Sequence, residues 1–259
     1  MTIKSDKEIS KMRLSGLVLW KAHQKAKDLV QEGISTNEID YTVEKYILSQ
    51  GAIPLFKGVP GKVPYPASTC ISINEEVVHG IPSNRKLANG DIVSIDIGVK
   101  LDGWCADAAT TLPVGNISIE KRRLLTETEN ALRLAIKQLA VKSRWSFIVK
   151  KMQKAIESKG FSIIEELVGH GIGREMWEHP QIPNYFNKRN EDFPIRQGAT
   201  LAIEPMVNMG DKGIRLKNDH WTIITSDGKP SVHFEHTVAI TNDGPFVLTC
   251  GPNGEGWAM

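Results

Sequence analysis

The chain has little of what would mark a special environment. Only three cysteines, Cys70, Cys105 and Cys250, occur among 259 residues and none stands in a CxxC spacing. That argues against a disulfide framework and a zinc ribbon and leaves reduced, structural thiols. No apolar run reaches membrane-spanning length, and the start MTIKSDKEISKMRLSG carries charges where a secretory signal needs an apolar stretch. A cytoplasmic protein without membrane contacts is therefore expected. Charge of one sign is missing too: 32 basic and 30 acidic residues leave a formal net charge of +2, so direct nucleic-acid binding is not expected. No Pro/Gly/Ser-rich or single-charge stretch marks a linker, and residues 1–259 read as one domain. What is present, 41% hydrophobic and 24% charged residues, suffices for an ordinary buried core.

Helical spacing of Ile9, Met12, Leu14, Leu17, Leu19, Ala22, Ala26 and Val30 predicts an amphipathic helix from Ser5 to Glu32, closed by Gly33. A second helix is expected from Thr36 to Gly51. Strand-like segments follow at Thr69 to Ile73, Ile92 to Val99 and, after an Asp102-Gly103 turn, Thr110 to Pro113. Helices are expected again over Ile119 to Val141 and Phe147 to Lys159. Strands then resume near Phe161 to Val168, Thr200 to Val207, Trp221 to Thr225 and Phe234 to Ile240. Helices precede strands twice. The doubling extends to residues: NGDIVSIDIGV (Asn89 to Val99) aligns without gaps on QGATLAIEPMV (Gln197 to Val207), with Asp96 and Glu204 six residues after Gly90 and Gly198. A carboxylate in an apolar run is costly to bury unless paired or metal-bound. Two related halves, roughly 1–115 and 116–250, are expected to bring acidic strands together in an α/β sandwich.

Asp96 and Asp107 flank the Asp102-Gly103 turn almost symmetrically, so a hairpin would set them nearly opposite one another. They are either solvated acids or a repelling pair that divalent cations would turn into ligands. Glu204, and Glu235 in VHFEHT, add two more acids on apolar, strand-like runs. His170 lies in VGHGIG, where Gly169, Gly171 and Gly173 would allow unusual backbone angles. Alone it reads as a structural histidine; beside four acids it reads as a ligand. Four carboxylates and one imidazole form a hard, oxygen-rich set suited to Mn, Fe(II) or Co(II), with Zn also compatible. Bridging carboxylates favour two ions, and hence metal-assisted hydrolysis.

At this point the stretches STCISINEEVVHGIP, GDIVSIDIGVKLDGWCADAATT, GHGIGREMWEHPQIPNY, AIEPMVN and FEHTVAI resemble the type I methionine aminopeptidases over nearly the whole chain. The resemblance implies a pita-bread fold of class α/β (α+β), with two pseudo-symmetric halves and a central antiparallel sheet covered by helices. It implies two divalent metal ions held by Asp96, Asp107, His170, Glu204 and Glu235. Asp107 and Glu235 would bridge both ions, and Glu204 would also manage the proton of the attacking water. The resemblance assigns His79 to the tetrahedral intermediate and the leaving amine, whereas the residues alone also allow a histidine capping a Gly-Ile-Pro turn. Tyr65, Cys70, Met176 and Trp221 would form the methionine pocket, although core packing alone would account for apolar residues of this kind. Val59 and Lys62 stand where many relatives carry cysteine and tyrosine. Asn74 and Ser231 match positions where the family can bind a monovalent cation through main-chain oxygens.

Two departures stand out. Trp177 occupies the place of a second active-site histidine, and His233 the place of a common glutamine. The missing role could pass to the Trp177 indole N–H, to His179 or to His233, or be lost, leaving a weak enzyme or a binding protein. A proline-specific peptidase of this fold would need an additional amino-terminal domain, and a type II enzyme a helical insertion between His170 and Glu204. The expected partners are the amino termini of nascent peptides bearing methionine before a small residue. A monomer is expected, with transient ribosome contact compatible with that substrate.

Overall fold

The computed structural model describes residues 1–139, 143–189 and 192–256. Two helices open the chain, α1 (Asp6–Leu29) and α2 (Thr36–Ser49), each ending a few residues short of the sequence expectation. At the start of α2, Ser35 Oγ accepts the Glu38 N–H at 3.3 Å while the Glu38 carboxylate accepts the Ser35 N–H at 2.9 Å. Such a box satisfies orphan amide groups and contributes about 1 kcal/mol. Five strands follow: β1 (Ile53–Pro54), β2 (Thr69–Ile73), β3 (Glu76–Val78), β4 (Ile92–Leu101) and β5 (Trp104–Pro113). Strand β5 is longer than the expected Thr110 to Pro113, because the Asp102-Gly103 turn pairs it with the whole of β4, from Leu101↔Trp104 to Ile92↔Pro113. Strands β1 and β2 share the other edge of β4. Leu19, Ile39, Val43 and Ile47 of the helices bury against Ile71, Ile95 and Val99 of this sheet. Each such aliphatic side chain contributes about 1.5–3 kcal/mol when fully buried.

The second half repeats the plan with α3 (Ile119–Lys137) and α4 (Trp145–Glu157). The helix expected to reach Val141 stops at Lys137, and Val141 lies outside the described residues. The strand expected over Phe161 to Val168 is instead two, β6 (Ser162–Ile163) and β7 (Val168–Gly171), which join different sheets. Beyond them lie β8 (Glu178–Pro183), β9 (Thr200–Ile203), β10 (Met206–Asn208), β11 (Ile214–Leu216), β12 (Ile223–Thr225), β13 (Ser231–His233), β14 (His236–Thr241) and β15 (Gly244–Val247). The expected strand over Thr200 to Val207 is broken at Glu204-Pro205, since proline has no N–H to give a ladder. That over Phe234 to Ile240 begins only at His236, and that over Trp221 to Thr225 at Ile223. A five-stranded sheet runs β15-β14-β9-β7-β8, and smaller sheets run β13-β10-β6 and β11-β12-β3. Leu132, Ile136, Ile148 and Met152 of α3 and α4 bury against Leu201, Ile203, Val207 and Val238.

The halves meet along β5. Asp107 N–H donates to Thr237 Oγ1 (3.0 Å), whose hydroxyl donates back to the Asp107 carbonyl (2.8 Å). The Glu235 N–H donates to the Ala109 carbonyl at 2.9 Å. Thr111 Oγ1 accepts the His233 N–H at 3.0 Å and lies 2.8 Å from the His233 carbonyl. Alternate residues of one strand thus hold the segment that carries Glu235. Among the described residues no helix is long and apolar enough to cross a membrane.

Candidate metal centre and substrate cavity

Gly90 and Gly198, aligned in the repeat, both take left-handed backbone (φ 96° and 79°), so the two loops that launch Asp96 and Glu204 turn alike. Asp96 pairs with Ala109 and Asp107 with Gly98. The two acids are therefore diagonal neighbours on one face rather than directly opposite, because Asp96 lies farther from the Asp102-Gly103 turn than Asp107 does. Asp107 and Glu235 are almost completely buried, at 3% and 2% exposure. Burial, followed by the negative charge of Asp107, holds Asp96 and Glu235 well above the ordinary carboxylate range. Glu204 is raised by the same two causes, and Asp107 itself is raised by burial. Four acids share one crowded space; burial raises them all, and the charge of Asp107 adds to it at Asp96, Glu204 and Glu235.

His170 enters from β7. Its Nε2 lies 3.8 Å from Asp107 Oδ2 and 3.7 Å from Glu204 Oε1, while Nδ1 is 2.9 Å from the Gly171 carbonyl. That carbonyl accepts the Nδ1 proton and leaves Nε2 with a free lone pair. Burial lowers the pKa of His170, which keeps the ring neutral. The glycines around it serve a different purpose from the one expected. Gly169 and Gly171 have no left-handed angles; a Cβ on Gly169 would stand 2.3 Å from the Ala202 carbonyl, and one on Gly171 2.7 Å from that of His179. They let β7 pack closely between its neighbours.

Asp107, His170 and Glu235 present donor atoms within 4.8 Å of one another, and so do Glu204, His233 and Glu235. Asp96 Oδ1, Asp107 Oδ1, Glu235 Oε1 and His233 Nε2 are buried without a hydrogen-bond partner. Orphaned acceptors on adjacent acids are expensive in protein alone and fit a divalent cation. Hard oxygen donors with imidazole are the ligand chemistry such ions take.

The acids floor a cavity of about 720 Å³ whose lining includes His79, Tyr65, Cys70, Met176, Trp177 and Trp221. Tyr65, Cys70 and Met176 are buried in one apolar cluster with Phe56, and Trp221 and Val59 pack on it. Phe56 escaped the sequence reading, since the irregular segment IPLFKGVP carries no periodic signal. The Tyr65 hydroxyl lies 3.0 Å from the Thr69 carbonyl and 2.9 Å from that of Gly80. Trp221 meets the Tyr65 ring edge-on at 5.3 Å and donates its indole N–H to the Val63 carbonyl. Cys70 faces Asp96 across the β2-β4 register, and burial pushes its thiol up. All three cysteines are free and buried.

His79 follows β3 in a left-handed conformation (φ 58°), which swings its half-buried ring into the cavity; desolvation presses its pKa down to about 4. Trp177 is 57% exposed at the mouth, and His179 is an exposed residue of the same lining. The intervening Glu178 instead turns inward to a 2.6 Å ion pair with buried Lys4 and accepts the Arg174 N–H at 2.9 Å. This pins the loop that carries Met176 and Trp177. His233 is buried on the same side as Glu235, with Nε2 3.4 Å from Glu204 Oε2. Asn74 and Ser231 meet each other through the Asn74 carbonyl and the Ser231 N–H (2.8 Å) and do not line the cavity. The Asn74 side-chain oxygen is held by the Lys121 ammonium at 2.9 Å.

A mixed α/β scaffold of two like halves, closing helix-backed antiparallel strands around a buried acid and imidazole centre, defines a pita-bread metallohydrolase. The model of metallopeptidase family M24 matches residues 10–242, and the chain belongs to that family. It is 45% identical over 246 residues to methionine aminopeptidase 1 of Bacillus subtilis, covering 95% of this chain and 98% of that protein. The crystal structure of methionine aminopeptidase from Thermotoga maritima superposes with a TM-score of 0.91 at 39% identity, covering 96% and 99% of the two chains. The prolidase of Pyrococcus horikoshii, at 23% identity and a TM-score of 0.77, shares the fold over 96% of this chain and 63% of its own.

Proposed function

We propose that this chain hydrolyses the amino-terminal methionine from nascent proteins and peptides whose second residue is small. The observation that carries the reading is one cavity in which the apolar cluster of Tyr65, Cys70, Met176 and Trp221 adjoins the buried acids. A thioether suits such polarizable walls. Extensive similarity to proteins named methionine aminopeptidase supports it and gives no support to an inactive binding protein arising from Trp177.

Asp96, Asp107, His170, Glu204 and Glu235 would hold two divalent ions, with Mn, Fe(II), Co(II) and Zn as candidates. Bound there, the ions would supply Lewis acidity, acidifying water and polarising the scissile carbonyl. Glu204, at the cavity floor, would take the proton of the attacking water. His79, kept neutral by desolvation, would donate a hydrogen bond to the developing oxyanion and then assist the leaving amine. The apolar walls orient the methionine side chain and exclude water around it. Trp177 and His179 at the mouth would contact the peptide beyond the methionine, where a bulky second side chain would clash. Both halves act as one catalytic unit, in a monomer that meets its substrate as it emerges from the ribosome. A monovalent cation on the main-chain oxygens of Asn74 and Ser231 would brace the segments that lead into His79 and Glu235.

The test is release of free methionine from Met-Ala-Ser and Met-Lys-Ser by metal-stripped protein, with each metal added back separately. Metal-dependent cleavage of the first peptide alone is the expected outcome. Cleavage of neither with any metal overturns the proposal, and equal cleavage of both removes the rule for the second residue.

A further inference from the structure

The acid centre faces a second imidazole besides His170. We infer that His233 is an additional metal ligand, using Nε2 together with Glu204 and Glu235; this rests on reading the acids as a metal centre. Glu204 stands between two rings: its Oε1 is 3.7 Å from His170 Nε2 and its Oε2 is 3.4 Å from His233 Nε2. His233 Nε2 is buried without a hydrogen-bond partner from the protein, and the residue is 2% exposed. A charge-assisted hydrogen bond to Glu204 would bring the atoms to roughly 2.7–2.9 Å. Donor atoms about 2.1 Å from one tetrahedral ion lie instead about 3.4 Å apart. The His233–Glu204 spacing matches the second relation, and Glu235, with Oε1 also unpartnered, completes the donor group.

The backbone commits His233 to this place. Its N–H and carbonyl both engage Thr111 Oγ1, at 3.0 and 2.8 Å, and Thr111 is fixed in turn by Ser94 Oγ at 2.8 Å. The ring is therefore aimed from the junction of the two halves, as a ligand on a rigid element is. A second imidazole makes the centre softer than four carboxylates and one histidine, and shifts its preference from Mn toward Zn and Co(II).

Zn(II) titrated into metal-stripped wild type, His233→Gln, His233→Asn and His170→Ala by calorimetry tests this. Pulsed EPR of Co(II)-loaded wild type counts the coordinated imidazoles independently of any variant. The expected result is two imidazole nitrogens in the wild type, one in either His233 variant, and Zn(II) affinity lowered at least about tenfold in both. A single imidazole in the wild type, or unchanged Zn(II) affinity in both His233 variants while His170→Ala weakens it, overturns the inference and leaves the metal centre standing. Unchanged affinity in all three variants overturns both.

Discussion

In the first half Asp96 and Asp107 sit on unbroken strands of 10 residues, β4 and β5. In the second, Glu204 and Glu235 fall where strands stop, between β9 and β10 and between β13 and β14. Inside a strand the pleat decides where a side chain points, so a short aspartate is aimed by its own ladder. At a break that control is lost. Both second-half acids have the longer side chain, and the backbone of Glu235 is steadied by Ala109 of the other half. The breaks also let one run of sequence serve two sheets, since β9 and β14 belong to the five-stranded sheet and β10 and β13 to the smaller one. A repeated pattern in the residues thus coexists with asymmetric support of the acids.

The largest test of that asymmetry is Glu204→Gln, which keeps the shape of the break but removes the carboxylate proposed to accept the proton. The kcat for Met-Ala-Ser should fall about 10²–10⁴-fold with the denaturation midpoint of the loaded enzyme little changed; a loss under tenfold removes Glu204 from proton handling.

The aligned glycines sharpen the comparison. Alanine at Gly90 meets only the left-handed angle, with its nearest neighbour at 3.7 Å, and should cost about 1–2 kcal/mol. At Gly198 the Cβ would also stand 2.5 Å from the Lys4 carbonyl, adding about 1–3 kcal/mol of overpacking. Equal losses in urea denaturation of Gly90→Ala and Gly198→Ala would mean that the amino-terminal segment does not brace the second half.

A third test concerns the crowded acids without metal. Their pKa values are raised in the folded state, so the folded chain retains protons that the unfolded chain releases. The stability this gives is full below about pH 4, the unfolded carboxyl range, and is lost as pH rises through the folded values. Asp96→Asn should therefore stabilise the metal-stripped protein at pH 7.5, with the difference shrinking toward pH 4.5. A variant less stable than wild type at pH 7.5 without metal contradicts the repulsion.

The smallest effect is expected at the seam: Thr111→Val removes the hydroxyl bonded to His233 and should cost about 1 kcal/mol. Calorimetric unfolding of the loaded protein would register it, and no change would mean that Ala109 and Thr237 carry the junction alone.

Much of the site was legible because burying a carboxylate is expensive wherever it happens. Asp96, Asp107, Glu204 and Glu235 stand out in apolar runs, and the repeated spacing from Gly90 and Gly198 relates two of them before any contact is known. The break in LAIEPMV is marked in the sequence by Pro205, which has no N–H for a ladder, but periodicity alone does not reveal that hydrogen bonding there passes from one sheet to another. Nor was the role of Gly169 legible, since its need for closeness is imposed by Ala202, 33 residues away in sequence.

The sequence by itself determined the helices, the paired halves and the identity of the acids, since spacing, turn residues and the cost of buried charge are local properties. Only the tertiary structure decided that Asp96 and Asp107 are diagonal, that Glu178 pairs with Lys4, and that Glu204 lies between His170 and His233. Those outcomes depend on register and on contacts between distant segments, and no local preference fixes which distant group a side chain will meet.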